Sequence, residues 1–353
     1  MAKVPIRPSV AALPAYRAGA RAQGRLVYKL SSNESPYPPL PGVMAAVADS
    51  MVDLNRYPPM APDDLVAALA CFHDLEPGQV AVGAGSVAIL GHALTVVATD
   101  SDRVVYPWRS FEAYPIMAGI TGAESVPVPL GPGGRTDLDA LAAAAAVPGT
   151  RAVLICSPNN PTGPAVHQDE FDQFMAATPD DVLVILDEAY VEFVTDRDAV
   201  AGIAALANYP NLVVARTFSK AYGLAGSRVG YLLGRSSVIE AVRAVTTPFS
   251  VPVMAELAAV MSLGLQAEMR ERVEEVIQRR SFMFHALRAE GWDPPEPQGN
   301  FLWLDLGADS LSFADACKRA GVLVRPFPDQ GVRVSVGEQE GVERFLEVAA
   351  TWV

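Results

Sequence analysis

Four short segments of this sequence place small or polar side chains directly after apolar runs of strand length. The first, Gly83-Ala84-Gly85-Ser86-Val87-Ala88, follows residues 80–82 and fits the loose pattern G-x-G-x-x-G/A. Small residues there let backbone N–H groups at a helix start approach a phosphate, and they also serve a plain tight turn. The second, Ser157-Pro158-Asn159-Asn160-Pro161-Thr162-Gly163, follows residues 152–156. Its prolines stiffen the loop around a central asparagine amide, in a composition equally usual for turns. The third is Asp187-Glu188-Ala189-Tyr190, after residues 182–186. An acid at the end of a buried strand needs a cation or hydrogen-bond donors to stay ionised. The fourth runs from Thr217 through Ser219, Lys220 and Gly223 to Arg228. Two hydroxyls, an amine and a guanidinium thus surround a glycine-rich turn, an odd setting for a merely solvated lysine.

Elements that could position these groups follow from the apolar pattern. Strand-like runs at 80–82, 103–106, 125–128, 152–156, 182–186 and 212–216 alternate with helical patterns at 87–99, 111–119, 138–146 and 168–177. Further helices are predicted at 43–51 and 63–73. Strand and helix in alternation imply a largely parallel sheet covered on both faces, with its chemistry at the carboxyl ends of the strands. After about residue 246 the texture changes to helices at 254–263 and 266–290, strands at 301–306 and 332–336, and helices at 313–320 and 339–350. The expected organisation is an N-terminal arm over 1–40 that joins the small domain, a large domain over 41–246 and a smaller α+β domain over 247–353.

Hydrophobic residues make up 50% and charged residues 19% of the chain, enough for a large core and against global disorder. With 27 basic against 40 acidic side chains, the net charge of −13 argues against nucleic acid as a partner. Residues 1–33 nevertheless hold Lys3, Arg7, Arg17, Arg21, Arg25 and Lys29 and no acid. Pro5, Pro8 and Pro14 would interrupt an amphipathic targeting helix there, and no apolar stretch follows that suits a secretory signal. No run reaches the roughly 18 apolar residues that span a bilayer. Cys71, Cys156 and Cys317, and His73, His92, His167 and His285, are scattered, which suggests neither disulfides nor a metal site. A cytoplasmic protein without membrane partners is the expectation.

Taken together, the four segments resemble the fold-type I pyridoxal-phosphate aminotransferases, and within them the histidinol-phosphate aminotransferase branch. The likeness extends from Leu13-Pro14-Ala15-Tyr16 and Ser32-Asn33-Glu34-Ser35-Pro36-Tyr37 to Val332-Arg333-Val334-Ser335-Val336-Gly337. Trp108-Arg109-Ser110-Phe111-Glu112-Ala113-Tyr114-Pro115 is similar to the actinobacterial aromatic amino acid (phenylalanine) aminotransferases. The resemblance implies an α/β fold, with a mostly parallel sheet flanked by helices in a large domain and a smaller α+β domain. It implies pyridoxal 5'-phosphate as cofactor, attached through Lys220, whose amine then shuttles the substrate Cα proton. Asp187 would pair with the pyridine nitrogen, Tyr190 and Asn160 with the phenolic oxygen, and Phe111 would stack on the ring, with Trp108 as the runner-up. Gly85, Ser86, Thr217, Ser219 and Arg228 are the phosphate candidates, joined by Tyr57 from the other subunit of a homodimer. Arg333 would grip the substrate α-carboxylate, with Tyr16, Asn33 and Asn160 at the same end of the pocket.

The implied reaction moves an amino group between an aromatic L-amino acid and a 2-oxo acid such as 2-oxoglutarate. Histidinol phosphate is the alternative donor, and Arg325 leaves it open, because an arginine there meets the substrate phosphate in histidinol-phosphate enzymes. Tyr37, Tyr106 and Trp303 read as core or rim aromatics, although Trp303, Arg325 and Phe327 could shape side-chain preference. Three rival readings are a nicotinamide-dependent oxidoreductase built on Gly83–Ala88 with Asp100 or Asp102, an inactive scaffold, and an eliminase or decarboxylase on the same fold.

Overall fold

The computed structural model describes residues 4–13 and 27–352. Its centre is a seven-stranded sheet ordered Val80–Gly83, Gly230–Gly234, Leu212–Thr217, Leu183–Asp187, Thr150–Cys156, Arg103–Trp108 and Glu124–Pro129. Adjacent strands are parallel except around Gly230–Gly234, which runs antiparallel to both neighbours. That strand was not expected. Its Gly-Tyr-Leu-Leu-Gly sequence has neither polar alternation nor β-branched residues to mark it, and it is buried throughout.

The inner strands are buried along nearly their whole length, as both-sided helix cover requires. One face carries Ile89, Leu90 and Leu94 of helix Ser86–Val97 with Ile239 and Val242 of helix Ser236–Val245. The other carries Leu141 of helix Leu138–Ala145 and Phe171 of helix Gln168–Ala177. The helix expected over 111–119 begins at Tyr114 instead, with Pro115 in its first turn, and this leaves Phe111 and Glu112 in the preceding loop.

A second, antiparallel sheet is ordered Arg325–Phe327, Gln330–Ser335, Phe301–Gly307. The short strand Arg325–Phe327 was also not expected. Behind the sheet, Phe313 of helix Ser310–Arg319 and Phe345 of helix Gln339–Ala350 meet at 6.2 Å between ring centroids. The 24-residue helix Gln266–Ala289 packs on Gln339–Ala350 and on the turn Val191–Phe193. Helix Val253–Leu263 packs instead on Val43–Ser50 and Asp63–His73. A two-residue parallel pairing of Tyr28–Lys29 with Val322–Leu323 ties the early chain to this second layer. Among the described residues no helix is long and apolar enough to cross a membrane, and no group of acids, histidines or cysteines is arranged to hold a metal.

Candidate active site

Three parallel strands end side by side at one cavity of about 230 Å³, lined among others by Asn160, Asp187, Tyr190, Ser219, Lys220 and Arg228. The chain order of the sheet creates this meeting, because Thr150–Cys156, Leu183–Asp187 and Leu212–Thr217 are consecutive neighbours. Asp187 closes its strand and is buried; its Oδ2 accepts from the Tyr114 hydroxyl at 2.9 Å. The other carboxylate oxygen makes no hydrogen bond among the described residues. Burial drives the Asp187 carboxyl up to about 6, against the lowering effect of the Tyr114 bond. The adjacent Glu188 serves the fold instead, pairing with Arg216 at 2.7 Å and accepting from the Gly202 N–H at 3.0 Å.

Lys220 Nζ donates to the Ser32 carbonyl at 3.3 Å and lies 5.7 Å from the centre of the Tyr190 ring. Desolvation first, and the Arg333 charge second, bring its amine down to about 7. Such an amine is available unprotonated near neutrality, unlike an ordinary lysine. Tyr190 is buried, and this pushes its phenol above the usual range; its oxygen accepts from Asn33 Nδ2 at 3.0 Å, which leaves the hydroxyl proton for a partner in the cavity.

At one end of the cavity Thr217, Ser219, Arg228 and the start of helix Ser86–Val97 converge. Thr217 Oγ1 donates to Ser219 Oγ at 3.0 Å, and Arg228 Nη1 to the same oxygen at 3.3 Å. Gly85, with φ 83°, precedes the helix, and a Cβ on it would collide with the Arg228 guanidinium. A Cβ on Gly230 would likewise meet the backbone of Gly85 and Ser86. Two glycines therefore let a helix N-terminus, two hydroxyls and a guanidinium share one small volume, an arrangement suited to a phosphate dianion.

At the other end Arg333 is buried, with its guanidinium on the Asn160 side-chain oxygen and on the Ser31 carbonyl at 2.8 Å. Asn33 is held by Ser335, whose hydroxyl donates to Asn33 Oδ1 and accepts from its N–H, both at 2.8 Å. Phe111 lines the cavity and meets Tyr114 edge-on at 5.7 Å, whereas Trp108 lies under the Arg109 guanidinium at 4.3 Å.

Tyr57, expected to reach the partner subunit's cofactor, and Arg325 are not among the residues that line this cavity. Tyr57 is 87% exposed and packs on Phe249 at 5.4 Å, away from this chain's own cavity. Arg325 pairs with Glu112 at 2.6 Å. Tyr16 lies outside the described residues. Sequence reasoning missed the parts played by Tyr114, Ser335 and Gly230. Ser335 was legible in principle, since it stands two residues after Arg333 on an alternating strand and so shares its face. Tyr114 carried no such sign, because its contact with Asp187 spans 73 positions.

A buried acid, a depressed lysine amine and an anion cradle stand together on a largely parallel sheet, the arrangement of a pyridoxal-phosphate enzyme of fold type I. The chain belongs to the class I and II aminotransferases, whose family profile matches residues 26–348. Among its relatives, the aromatic amino acid aminotransferase of Streptomyces coelicolor is 47% identical over 346 residues, covering 98% of this chain and 96% of that protein. The aromatic amino acid aminotransferase of Thermobifida fusca is 48% identical over 350 residues, covering 98% and 97%. The crystal structure of histidinol-phosphate aminotransferase from Sinorhizobium meliloti, in complex with pyridoxal-5'-phosphate, superimposes with a TM-score of 0.87 at 27% identity and 98% coverage of both chains.

Proposed function

We propose that this protein is a pyridoxal-phosphate-dependent aminotransferase that exchanges an amino group between aromatic L-amino acids and a 2-oxo acid, with 2-oxoglutarate as acceptor. The observation that carries the chemistry is the opposition of Asp187 and Lys220 in one cavity, each shifted by burial toward its neutral form. The aromatic preference rests on the near full-length likeness to the two aromatic amino acid aminotransferases and on the buried Trp303 and Phe327 of the second sheet.

When bound, the cofactor supplies an electron sink for the charge that develops at the substrate Cα. Asp187, with one carboxylate oxygen not hydrogen-bonded among the described residues, would hold a protonated ring nitrogen and so orient the ring. Tyr190 and Asn160 would address the phenolic oxygen and Phe111 would cover the ring, while Gly85, Ser86, Thr217, Ser219 and Arg228 would hold the phosphate. Lys220 Nζ would be the cofactor's point of attachment, and its amine is the group that would move the proton at the substrate Cα. Arg333 would receive the α-carboxylate as a bidentate fork, with Asn33 nearby and Tyr16 as a further substrate contact in this reading.

The working unit in this reading is a cytoplasmic homodimer in which Tyr57 reaches the partner's phosphate. Its surroundings support that role: exposed Phe249 packs on Tyr57 and bonds through its N–H to the carbonyl of exposed Met60, an apolar patch that a second copy would cover. The arm over 1–40, the large domain over 41–246 and the small domain over 247–353 complete the proposed organisation. The test is a keto-acid product assay with phenylalanine, tyrosine and histidinol phosphate as donors. Phenylalanine or tyrosine should give the highest kcat/KM; a preference for histidinol phosphate would replace the aromatic reading, and no keto acid from any donor would remove transamination.

A further inference from the structure

A second arginine stands across the strand pair from Arg333. Arg325 and Arg333 are cross-strand partners, and Arg333 is in turn paired with Trp303. Direct cross-strand partners share a face, so Trp303, Arg333 and Arg325 form one row across the second sheet. Phe327, two residues beyond Arg325, lies on that face too, and its ring meets Trp303 at 5.4 Å. Gly331, its cross-strand partner, leaves room for the indole, which a Cβ there would strike.

The two arginines are used differently. Arg333 points to Asn160 and Ser31 at the cavity. Arg325 turns to Glu112, with Nη2 and Oε2 2.6 Å apart, and Glu112 directly follows the cavity-lining Phe111. The Arg325 side chain is 12% exposed and that of Glu112 30%. Parting them would remove the carboxylate from a guanidinium that has little access to water, so the pair is costly to open. Arg109 lies near enough to feel both charges, but its Nε donates to Gln330 at 2.7 Å and its guanidinium lies over Trp108 at 4.3 Å and Phe327 at 5.3 Å.

The geometry points to Glu112 as a specificity-determining residue: by holding Arg325 it withholds that guanidinium from amino donors whose side chain ends in a phosphate, and it leaves Phe327 and Trp303 for an uncharged aromatic. The inference rests on the aminotransferase reading above and deepens its choice of donor. A phosphate entering this corner must displace a carboxylate already in contact with Arg325 and then remain beside it, a like-charge contact that works against the wrong donor. An aromatic side chain leaves the pair closed.

The experiment compares kcat/KM for histidinol phosphate and phenylalanine in the cofactor-loaded wild type, Glu112→Gln, Glu112→Ala and the double variant Glu112→Gln/Arg325→Gln. Removing the Glu112 carboxylate from Arg325 should raise the histidinol phosphate to phenylalanine ratio by about tenfold or more, the worth of one charge-assisted hydrogen bond. The gain should come chiefly through a lower KM for the phosphate donor, and the double variant should lose it. A ratio that stays at the wild-type value in both single variants, or a gain that survives in the double variant, overturns the proposal. The wild-type ranking alone judges the aromatic reading, whereas the change in ratio judges Glu112, so the two fail separately.

Discussion

The floor and the mouth of the cavity are built in opposite ways. The floor is made of strand ends in one sheet, where Asp187, Thr217 and the turn to Lys220 lie close in sequence to the buried runs that carry them. The mouth is made of contacts between distant segments: Asn33 with Ser335 across 302 positions, Arg333 with Asn160 across 173, Arg325 with Glu112 across 213. At the floor, burial shifts two titratable groups toward neutrality. At the mouth, Arg333 keeps its charge and is held by oxygen partners. The difference suggests a division of labour, with proton and electron chemistry set by desolvation below and donor selection set by placed charge above.

The largest expected effect tests the floor. Lys220→Ala should lower kcat by on the order of 10⁴-fold or more for every donor alike, because it removes the amine placed to move the Cα proton. The cofactor-loaded variant should also lack the borohydride-sensitive near-visible absorption of the wild type. A loss that differed strongly between donors would break the division, since it would assign selection to the floor. Asp187→Asn should follow with a fall in kcat of about 10² to 10³-fold, the usual cost of removing one preorganised electrostatic partner. Its KM values should move less than its kcat, as stopped-flow and steady-state measurements on phenylalanine would show.

The mouth should respond in the other parameter. Arg333→Lys should raise KM and lower kcat/KM by about ten- to a hundredfold, because an ammonium cannot reproduce the planar fork on a carboxylate. An equal loss for all α-amino acids would mark Arg333 as the carboxylate site, whereas a loss confined to one donor would make it a side-chain contact.

The same contrast explains what could be read before the structure was known. Floor residues were legible because each polar group directly follows an apolar strand-length run, and burial of such a run dictates where its end must lie. The alternation of strand and helix was enough to imply the sheet, and helices such as Asp63–His73 and Gln339–Ala350 coincide with their apolar periodicity. Strand Gly230–Gly234 was not legible, since a fully buried antiparallel strand bounded by glycines has no alternation to show. The mouth was legible only as isolated residues. Arg325 could be named as ambiguous, but nothing local connects it to Glu112; the register of Arg325–Phe327 on Gln330–Ser335 and the loop after Trp108 together create that pair.

The smallest expected effect is a dependence of stability on pH, and it separates the two floor groups by sign. Lys220 sits at about 7 in the fold, below the roughly 10.4 of a free lysine. Between those values the unfolded chain binds more protons, so this contribution to stability rises with pH and is lost as pH falls through about 7. Asp187, at about 6, lies above the roughly 3.9 of a free aspartate, so its contribution is present below that value and is lost as pH rises through about 6. In cofactor-free protein, the Tm of the wild type should therefore gain on Lys220→Ala from pH 7 to 10. Asp187→Asn should gain on the wild type from pH 4 to 6. Each difference should be on the order of a few degrees. A flat difference across its window would mean that the group is solvated and that the floor is not the desolvated chamber its chemistry requires. Arg333 is the second cause of the lowered Lys220 amine, after burial. Arg333→Gln should therefore shorten the alkaline rise without abolishing it, and the size of that shortening measures how strongly the charge at the mouth sets the proton affinity at the floor.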